Sequence, residues 1–285
     1  MKYNIYYKKK PNGGFRKICA PDNETKQKQR ELLRSYQEQI GKEHKTAYGF
    51  VKNKNVKDNA LIHIGREAIY NIDLKDFFDS INREMLLTYC KKNNLSEDLL
   101  KDIDTFVLPK EKHLPQGAPS SPFLANIYCR PLDKKLYTLA KKNKIMYTRY
   151  ADDITFSGKR EDILKIKSDI KNIIYSYSLK INKKKETLYY KTNRKFVTGV
   201  NVSDHLSISR KQYNKFRADI YRTNKAIENN EITYENHNLV LGEDISKFEA
   251  RVNYIVYINP NLIKLKIDAE KLRKKIVSLK KIHGG

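Results

Sequence analysis

The amino-acid sequence predicts an α+β fold with an antiparallel sheet, and three observations support this. The apolar pattern changes between strand and helix periods in the order strand, helix, helix, strand, strand, helix, strand. Two of these strands, in MYTRYADDITFSG, are separated only by a tight turn, which joins antiparallel neighbours. From Ser209 onward the chain has long helical periods, many lysines and arginines and little glycine, so a helical tail should follow the sheet.

The N-terminal residues predict a hairpin followed by a helix. Apolar runs within residues 3–19 flank a lysine-rich segment that contains the turn signal Asn12-Gly13. Residues 24–40 form the first predicted helix, which Gly41 should end. The apolar face of this helix consists of Leu32, Leu33, Tyr36 and Ile40.

The central residues predict the remaining strands and helices. Residues 68–74, AIYNIDL, are rich in the β-branched and aromatic residues that are typical of a strand. A loop rich in Gly, Pro and Ser runs from Pro115 to Pro122. Helical periods cover 83–94, 96–108, the segment LANIYCRPLDKKLYTLAKKN and 161–178, and strand-like residues follow at 186–202. The change of character after this point predicts two domains, residues 1–204 and 205–285.

The charge of the chain indicates a nucleic-acid partner. The 285 residues include 58 Lys and Arg against 33 Asp and Glu, a formal net charge of +25. Such a field favours nucleic acid or an anionic membrane, and a lysine-rich surface without a partner is the alternative. No run of about eighteen apolar residues is present, so no membrane span is expected. The three cysteines form no CxxC pair, which favours a cytoplasmic location and argues against a zinc site.

Three carboxylates predict a divalent-metal site. Asp152 and Asp153 are adjacent at the turn between two apolar runs, where their charges repel each other unless a cation neutralises them. Asp73 ends an apolar strand, where an isolated carboxylate is costly. Hard oxygen ligands suit Mg²⁺. Three carboxylates from two strands are the minimum for two-metal phosphoryl transfer, and an ordinary Asp-Asp turn with a strand-end aspartate is the alternative.

Five segments together resemble the motifs of reverse transcriptases. They are KKKPNGGFRKICAPD with the following QKQREL, NIDLKDFFDSI, LPQGAPSSPFLAN, YADD and LKINKKKETLYY, in this order within residues 5–204. The resemblance implies a right-hand polymerase with fingers, an antiparallel palm and a helical thumb. It also implies RNA-directed DNA synthesis, in which a 3′-hydroxyl attacks the α-phosphate of a dNTP. Asp73, Asp152 and Asp153 are then the catalytic residues, and they bind two Mg²⁺ ions.

The resemblance assigns a nucleotide-binding role to residues near the first motif. Lys9 and Arg16 stand on either side of the PNGG turn, where the family has a lysine and an arginine that hold the incoming triphosphate. The run of three lysines leaves the register open, so Lys8 or Lys10 could take the place of Lys9.

Further nucleotide-binding residues follow from the second motif and the first palm motif. Gln116 and Gly117 match the family loop that lines the nucleotide and the template. Phe78, five residues after Asp73, matches the bulky residue that excludes a ribose 2′-hydroxyl. Core packing beside Phe77 is the alternative for Phe78.

Two short signatures resemble the retron subfamily of reverse transcriptases. Asn59-Ala60-x-x-His63 (NAxxH) precedes the first palm motif, and Val197-Thr198-Gly199 (VTG) follows the palm. The resemblance makes Asn59, His63, Val197, Thr198 and Gly199 candidate RNA-binding residues, with a purely structural role as the alternative. It further implies a structured non-coding RNA as template and primer, and initiation at a guanosine 2′-hydroxyl. A role in antiphage defence and a separate effector protein are also implied.

The basic tail combines an apolar stripe with cationic faces. Residues 261–281 carry apolar side chains at spacings of three and four, namely Leu262, Leu265, Ala269, Leu272, Ile276 and Leu279. Arg273, Lys274 and Lys275 stand between them and are the candidate phosphate contacts. Position after the palm motifs favours a thumb that holds the primer–template duplex. A solvated face and a membrane-surface helix are the alternatives.

Two other functions remain as alternatives at this point. One is a different bacterial reverse transcriptase, of the group II intron or abortive-infection type. The intact Gln116-Gly117 loop and YADD argue against untemplated synthesis, and the compact length argues against the intron type. The other alternative is a non-catalytic RNA-binding scaffold, which the presence of all three carboxylates disfavours.

Overall fold

The computed structural model describes residues 1–10, 13–191 and 194–283, with side chains as far as residue 279. The chain divides into an N-terminal unit, Met1–Thr198, and a C-terminal unit, Gly199–Gly285. The sequence predicts a boundary between residues 204 and 205, and these two domains stay a prediction. Asn12, half of the predicted turn signal, lies outside the described residues.

The N-terminal unit begins with the predicted hairpin. Strands β1 (Tyr3–Lys9) and β2 (Phe15–Pro21) pair antiparallel. Helix α1 (Asn23–Ile40) follows, and Gly41 ends it with a positive φ of 77°, as the sequence predicted. A short helix, α2 (Val56–Leu61), was not predicted, because its six residues are too few to show a helical period.

After α2, the chain forms one strand and four helices before it reaches the strand that leads to the Asp152-Asp153 pair. These are β3 (Ala68–Lys75), α3 (Arg83–Lys92), α4 (Glu97–Phe106), α5 (Ser121–Tyr128) and α6 (Arg130–Lys142). The side chain of Ser96 caps α4 by accepting a hydrogen bond from the Leu99 N–H. The helical stretch after the Pro-rich loop is two helices rather than one. The interruption comes at Cys129, since Pro131 in the first turn of α6 cannot donate a backbone hydrogen bond.

A five-stranded antiparallel sheet is the centre of the N-terminal unit. It consists of β3 with β4 (Met146–Tyr150), β5 (Asp153–Gly158), β6 (Lys180–Ile181) and β7 (Thr187–Tyr189). The order is β4-β5-β3-β6, and β7 also pairs with β3. Helix α7 (Arg160–Ser176), which covers most of the predicted helical period 161–178, connects β5 to β6 and buries a stripe of Ile163, Ile166, Ile170 and Ile174. Strand β8 (Phe196–Val197) completes the unit.

The C-terminal unit is helical after a short strand, β9 (Val200–Asn201). Its helices are α8 (Arg210–Glu228), α9 (His237–Leu241), α10 (Ile245–Ile258) and α11 (Ile263–His283). Phe216, Phe248 and Val252 lie at the centre of its apolar core. The predicted stripe of α11 is buried at Leu265, Ala269, Leu272 and Ile276, whereas Leu262 lies before the helix in a 3-10 turn and is only partly buried.

Candidate active site

Strand register brings the three predicted carboxylates to one end of the sheet. Asp73 on β3 is directly opposite Asp153 on β5. Tyr150 on β4 is opposite the same Asp153, so Ala151 and Asp152 form the two-residue turn between these strands. The Leu74 N–H donates a hydrogen bond to the Asp152 carbonyl over 2.9 Å, which fixes this turn (Ala151-Asp152), named the catalytic turn after its predicted role, to β3.

The charges of these carboxylates oppose one another. Burial, then the charges of Asp152 and Asp73, raise the pKa of Asp153 to about 7. Burial and the charge of Asp73 also raise the pKa of Asp152, and the positive charges of Lys185 and Arg16 oppose this rise. A bound cation would relieve both effects. The donor set therefore suits a hard divalent metal ion.

Asp73 already has two partners in the structure. Its Oδ2 accepts a hydrogen bond from the Lys185 Nζ over 2.6 Å, and its Oδ1 accepts one from the Asn182 Nδ2 over 3.0 Å. In the described part of the chain, no group of three Asp, Glu, His or Cys side chains is arranged to hold a metal ion. The chemistry of the three carboxylates fits a metal, and at the Asp73 Oδ2 a metal ion would compete with the Lys185 ammonium.

The register of the N-terminal hairpin decides which lysine accompanies Arg16. Lys8 is opposite Arg16, and Lys9 is opposite Phe15. Residues that are directly opposed on antiparallel strands have side chains on the same face of the sheet. Lys8, the substitute that the lysine run had left open, therefore shares the face of Arg16, and the nucleotide-binding role of Lys9 stays a prediction. Arg16 also lies close enough to Asp152 to lower its pKa against the effect of burial.

The predicted Gln-Gly loop packs against the same hairpin. The Cys19 N–H on β2 donates a hydrogen bond to the Gln116 carbonyl over 2.8 Å. Gly117 has φ 124°, and a Cβ there would lie 3.0 Å from the Ile18 side chain and 3.1 Å from the Cys19 carbonyl oxygen. Glycine is needed at this position for both reasons. The structure thus places the loop of Gln116 and Gly117 beside the strand that carries Arg16.

Phe78 lies at the edge of the core rather than inside it. Its ring is partly buried and contacts the Phe77 ring at a centroid distance of 5.4 Å. The opposite neighbour is Phe50, at 6.3 Å. Phe50 is 57% exposed and has φ 61°, a conformation that is strained for a bulky side chain. Sequence reasoning missed Phe50, since no periodicity marks a residue in an irregular segment.

The NAxxH and VTG signatures meet in the structure. The Asn59 Nδ2 donates a hydrogen bond to the Thr198 Oγ1 over 3.0 Å, although the residues are 139 positions apart. Asn59 is 1% exposed and Val197 is fully buried. Thr198 and Gly199 both have positive φ, 48° and 80°, and Gly199 is exposed.

His63 has no surface for RNA in this structure. It is fully buried, and its ring nitrogens form hydrogen bonds with the hydroxyls of Ser157 over 2.7 Å and Thr148 over 2.8 Å. Burial, together with the charge of Arg66, lowers the pKa of His63 to about 3. The expectation that His63 binds RNA is therefore corrected: it connects α2 to the sheet. The burial of Val197 removes its side chain from the candidate RNA contacts for the same reason.

The candidate cations of α11 differ in their contacts. The Arg273 Nη1 lies 2.9 Å from the Glu249 Oε2, and the Lys275 Nζ lies 2.8 Å from the Asn224 Oδ1. Lys274 is exposed, and no ion pair within 4 Å involves it among the described side chains. Lys274 is thus the least engaged of the three.

Sequence reasoning missed several residues that support the catalytic turn. Lys185 and Asn182 belong to the LKINKKKETLYY segment, where four lysines gave no reason to choose one of them. Arg149 immediately precedes YADD and is fully buried. Its Nε and Nη2 donate to both oxygens of Asp133 over 2.8 and 2.7 Å. The signal was a charged residue inside the apolar strand MYTRY, where burial demands a partner.

The fold and this site define a nucleotide polymerase, and comparison with known proteins identifies the family. Residues 7–236 match the family described as reverse transcriptase (RNA-dependent DNA polymerase). The chain belongs to the reverse transcriptase family and is an RNA-directed DNA polymerase. The predicted family resemblance is confirmed.

Curated relatives include several retron reverse transcriptases. The chain is 34% identical to the retron Ec86 reverse transcriptase of Escherichia coli over 225 residues, which cover 78% of this chain and 70% of the relative. It is 33% identical to the retron Ec73 reverse transcriptase of Escherichia coli, with 82% and 78% covered. It is 32% identical to the retron Mx162 reverse transcriptase of Myxococcus xanthus, with 68% and 46% covered.

Solved structures share the fold at low sequence identity. A telomerase from Candida albicans, in complex with a fragment of telomeric RNA, aligns with a TM-score of 0.51 at 13% identity, covering 98% of this chain and 61% of that one. An apo telomerase from Candida tropicalis aligns with a TM-score of 0.52 at 15% identity, covering 73% and 55%. The predicted right-hand polymerase fold is confirmed. Within the described residues, no helix has the length and apolar character that a bilayer crossing requires.

Proposed function

We propose that this chain is a retron-type reverse transcriptase that copies a structured non-coding RNA into single-stranded DNA with Mg²⁺. The observation that carries the proposal is the strand register, which sets Asp73 opposite Asp153 with Asp152 in the adjoining turn. The similarity to retron enzymes over most of the chain supports the subtype. Synthesis would begin at an RNA 2′-hydroxyl, and the product would contribute to antiphage defence together with a separate effector protein.

Asp73, Asp152 and Asp153 would hold the two Mg²⁺ ions. When bound, these ions supply charge neutralisation and activation of the attacking hydroxyl. The residues of the protein would position the carboxylates and supply positive charge to the triphosphate. β3 and the catalytic turn hold the carboxylates at one end of the sheet, and the cations of Lys8 and Arg16 are suited to the triphosphate of a dNTP.

The remaining candidate residues would select and align the substrates. Gln116 and Gly117 would line the nucleotide and template beside β2. Phe78, which is only partly buried, would exclude the ribose 2′-hydroxyl by contact. In the C-terminal unit, the exposed cations of α11 would contact the duplex phosphates as a thumb, with Lys274 the least engaged by protein partners.

RNA recognition would use the exposed part of the VTG turn. Gly199 is exposed, and the Asn59 contact holds the neighbouring Thr198 in its left-handed conformation. Asn59, which is buried, would then act on RNA through Thr198 rather than by direct contact.

The decisive experiment is primer extension on an RNA template by carboxylate variants. Asp73→Asn and Asp152→Asn should each abolish DNA synthesis, because each removes ligand charge from the metal site. Asp169→Asn, on the exposed face of α7, is the matched control and should retain wild-type activity. RNA affinity should be unchanged in all three variants. DNA synthesis by either site variant at the control rate would overturn the assignment.

A further inference from the structure

An irregular segment, residues 46–49, runs alongside the edge strand β4 and reaches the catalytic turn. Arg149 on β4 donates its N–H to the Thr46 carbonyl over 2.9 Å, and its own carbonyl accepts from the Tyr48 N–H over 2.8 Å. Ala47 and Arg149 form an isolated parallel bridge. The segment thereby extends the sheet beyond β4 and places the next residue, Gly49, beside the turn.

Gly49 lies in direct contact with the catalytic turn. A Cβ built on Gly49 would overlap the backbone nitrogen of Ala151 and lie 2.9 Å from the carbonyl carbon of Tyr150. Several other glycines have a positive φ, but Gly49 does not, so its φ is ordinary. The need for glycine here is therefore one of space: only a residue without a side chain lets the segment approach the turn.

Two buried side chains, those of Asn126 and Arg149, link Gly49 to the turn through hydrogen bonds. The Asn126 Nδ2 donates to the Gly49 carbonyl over 2.9 Å, and its Oδ1 accepts from the Arg149 Nη1 over 2.9 Å. The same Nη1 donates to the Ala151 carbonyl over 3.0 Å. Asp133 holds the other side of the guanidinium, so the Arg149 group cannot follow the turn if the turn moves.

The turn needs such support. Ala151 has φ 57°, a left-handed conformation that costs a residue with a Cβ about 1 kcal/mol and persists only where the surroundings enforce it. Asp152 is the next residue, and any relaxation at Ala151 displaces its carboxylate.

We propose that Gly49, Asn126 and Arg149 form a turn clamp, a set of positioning residues that fixes the catalytic turn and through it the Asp152 carboxylate. The inference rests on the proposed function, since it concerns the same site. The three residues would act through the turn and not by contact with substrate. The clamp acts on reaction geometry, where a displacement of about 1 Å can lower a rate about 100-fold.

Gly49→Ala tests the clamp because it adds one methyl group at the turn without backbone strain. Its matched control is Gly158→Ala at the far end of β5, where φ is also ordinary and a Cβ would meet the flexible Ile145 side chain at 3.3 Å. Gly49→Ala should lower kcat for dNTP incorporation about 10- to 100-fold and raise the Mg²⁺ concentration needed for half-maximal rate. KM for the dNTP and affinity for the RNA should stay near wild type. Gly158→Ala should leave kcat and the Mg²⁺ requirement unchanged.

Asn126→Ser supplies the same measurements if Gly49→Ala does not fold, because it shortens the linking side chain and adds no bulk. A folded Gly49→Ala or Asn126→Ser protein with wild-type kcat and Mg²⁺ requirement would overturn the clamp. Equal losses of kcat in Gly158→Ala would do the same, since the effect would then be general to the sheet. Absence of metal-dependent synthesis in the wild-type protein would instead refute the proposed function.

Discussion

Asn59 and Thr198 are joined by a hydrogen bond of 3.0 Å across 139 positions of sequence. The bond connects the NAxxH helix to the VTG turn, so the two signatures form a single structural feature. Thr198 stands at φ 48°, which is unfavourable for a β-branched residue, and the Asn59 amide helps to hold it there.

A double-mutant cycle tests this connection. Asn59→Ala and Thr198→Val should each lower the free energy of unfolding, and the double variant should lose less than the sum of the two. The coupling should be about 0.5–1.5 kcal/mol, the net contribution of one hydrogen bond. Urea unfolding of the four proteins measures it. Additive losses would show that the two signatures act independently.

Removal of the Lys185 ammonium should strengthen metal binding at the carboxylates. The Lys185 ammonium lies 2.6 Å from the Asp73 Oδ2, where its positive charge competes with that of a metal ion. Because its side chain is 58% exposed, the pair is weak, and Lys185→Gln should raise Mn²⁺ affinity about two- to fivefold. Calorimetric titration without nucleotide measures this change. Lys184→Gln, exposed in the same segment, is the control, and equal affinities in the two variants would contradict the prediction.

Phe78→Ala should admit ribonucleotides. Phe78 is only partly buried, and truncation would open space beside the sugar of a bound nucleotide. The ratio of kcat/KM for rNTP to that for dNTP should rise at least about tenfold, since this ratio reports differential transition-state binding. Phe78→Tyr keeps the bulk and should keep the ratio. An active Phe78→Ala enzyme with an unchanged ratio would make Phe78 a core residue only.

The buried His63 should make the protein sensitive to acid. Its pKa is about 3 in the folded protein and about 6.5 when unfolded, so the unfolded chain binds more protons between these values. The free energy of unfolding should therefore fall as the pH decreases from about 6.5 towards 3, by at most about 1.4 kcal/mol per pH unit from this group. His63→Gln should reduce that slope, and His205→Gln at an exposed site should not. Urea unfolding between pH 4.5 and 7.5 measures it, and equal slopes would contradict the prediction.

Neutralising exposed lysines of α11 should weaken RNA binding and reduce its salt dependence. Lys271→Gln combined with Lys274→Gln removes two exposed charges with no described ion-pair partner. The slope of log affinity against log salt should decrease by about 0.7–0.9 for each RNA phosphate that the variant no longer neutralises. Lys141→Gln with Lys142→Gln, at the end of α6, is the charge-matched control. An unchanged slope with lower thermal stability would assign these lysines a structural role.

Local patterns were sufficient for most of the secondary structure and for naming the three candidate carboxylates. The isoleucine stripe of α7, the YADD turn and the end of α1 at Gly41 all depend on residues within a few positions of one another. Periodicity and turn chemistry report such contacts directly. The helix α2 was missed, because a capped helix of six residues carries too little pattern.

The sequence by itself determined the order of the elements, the three carboxylates and the polymerase family. Tertiary structure decided which of the candidate residues lie together and which are buried. Strand register put Lys8, and not Lys9, on the face of Arg16, because a shift of one residue reverses the face of a side chain. Long-range packing buried His63 and placed Gly49 against the turn at Ala151, and contacts between residues so far apart leave no local pattern to predict them.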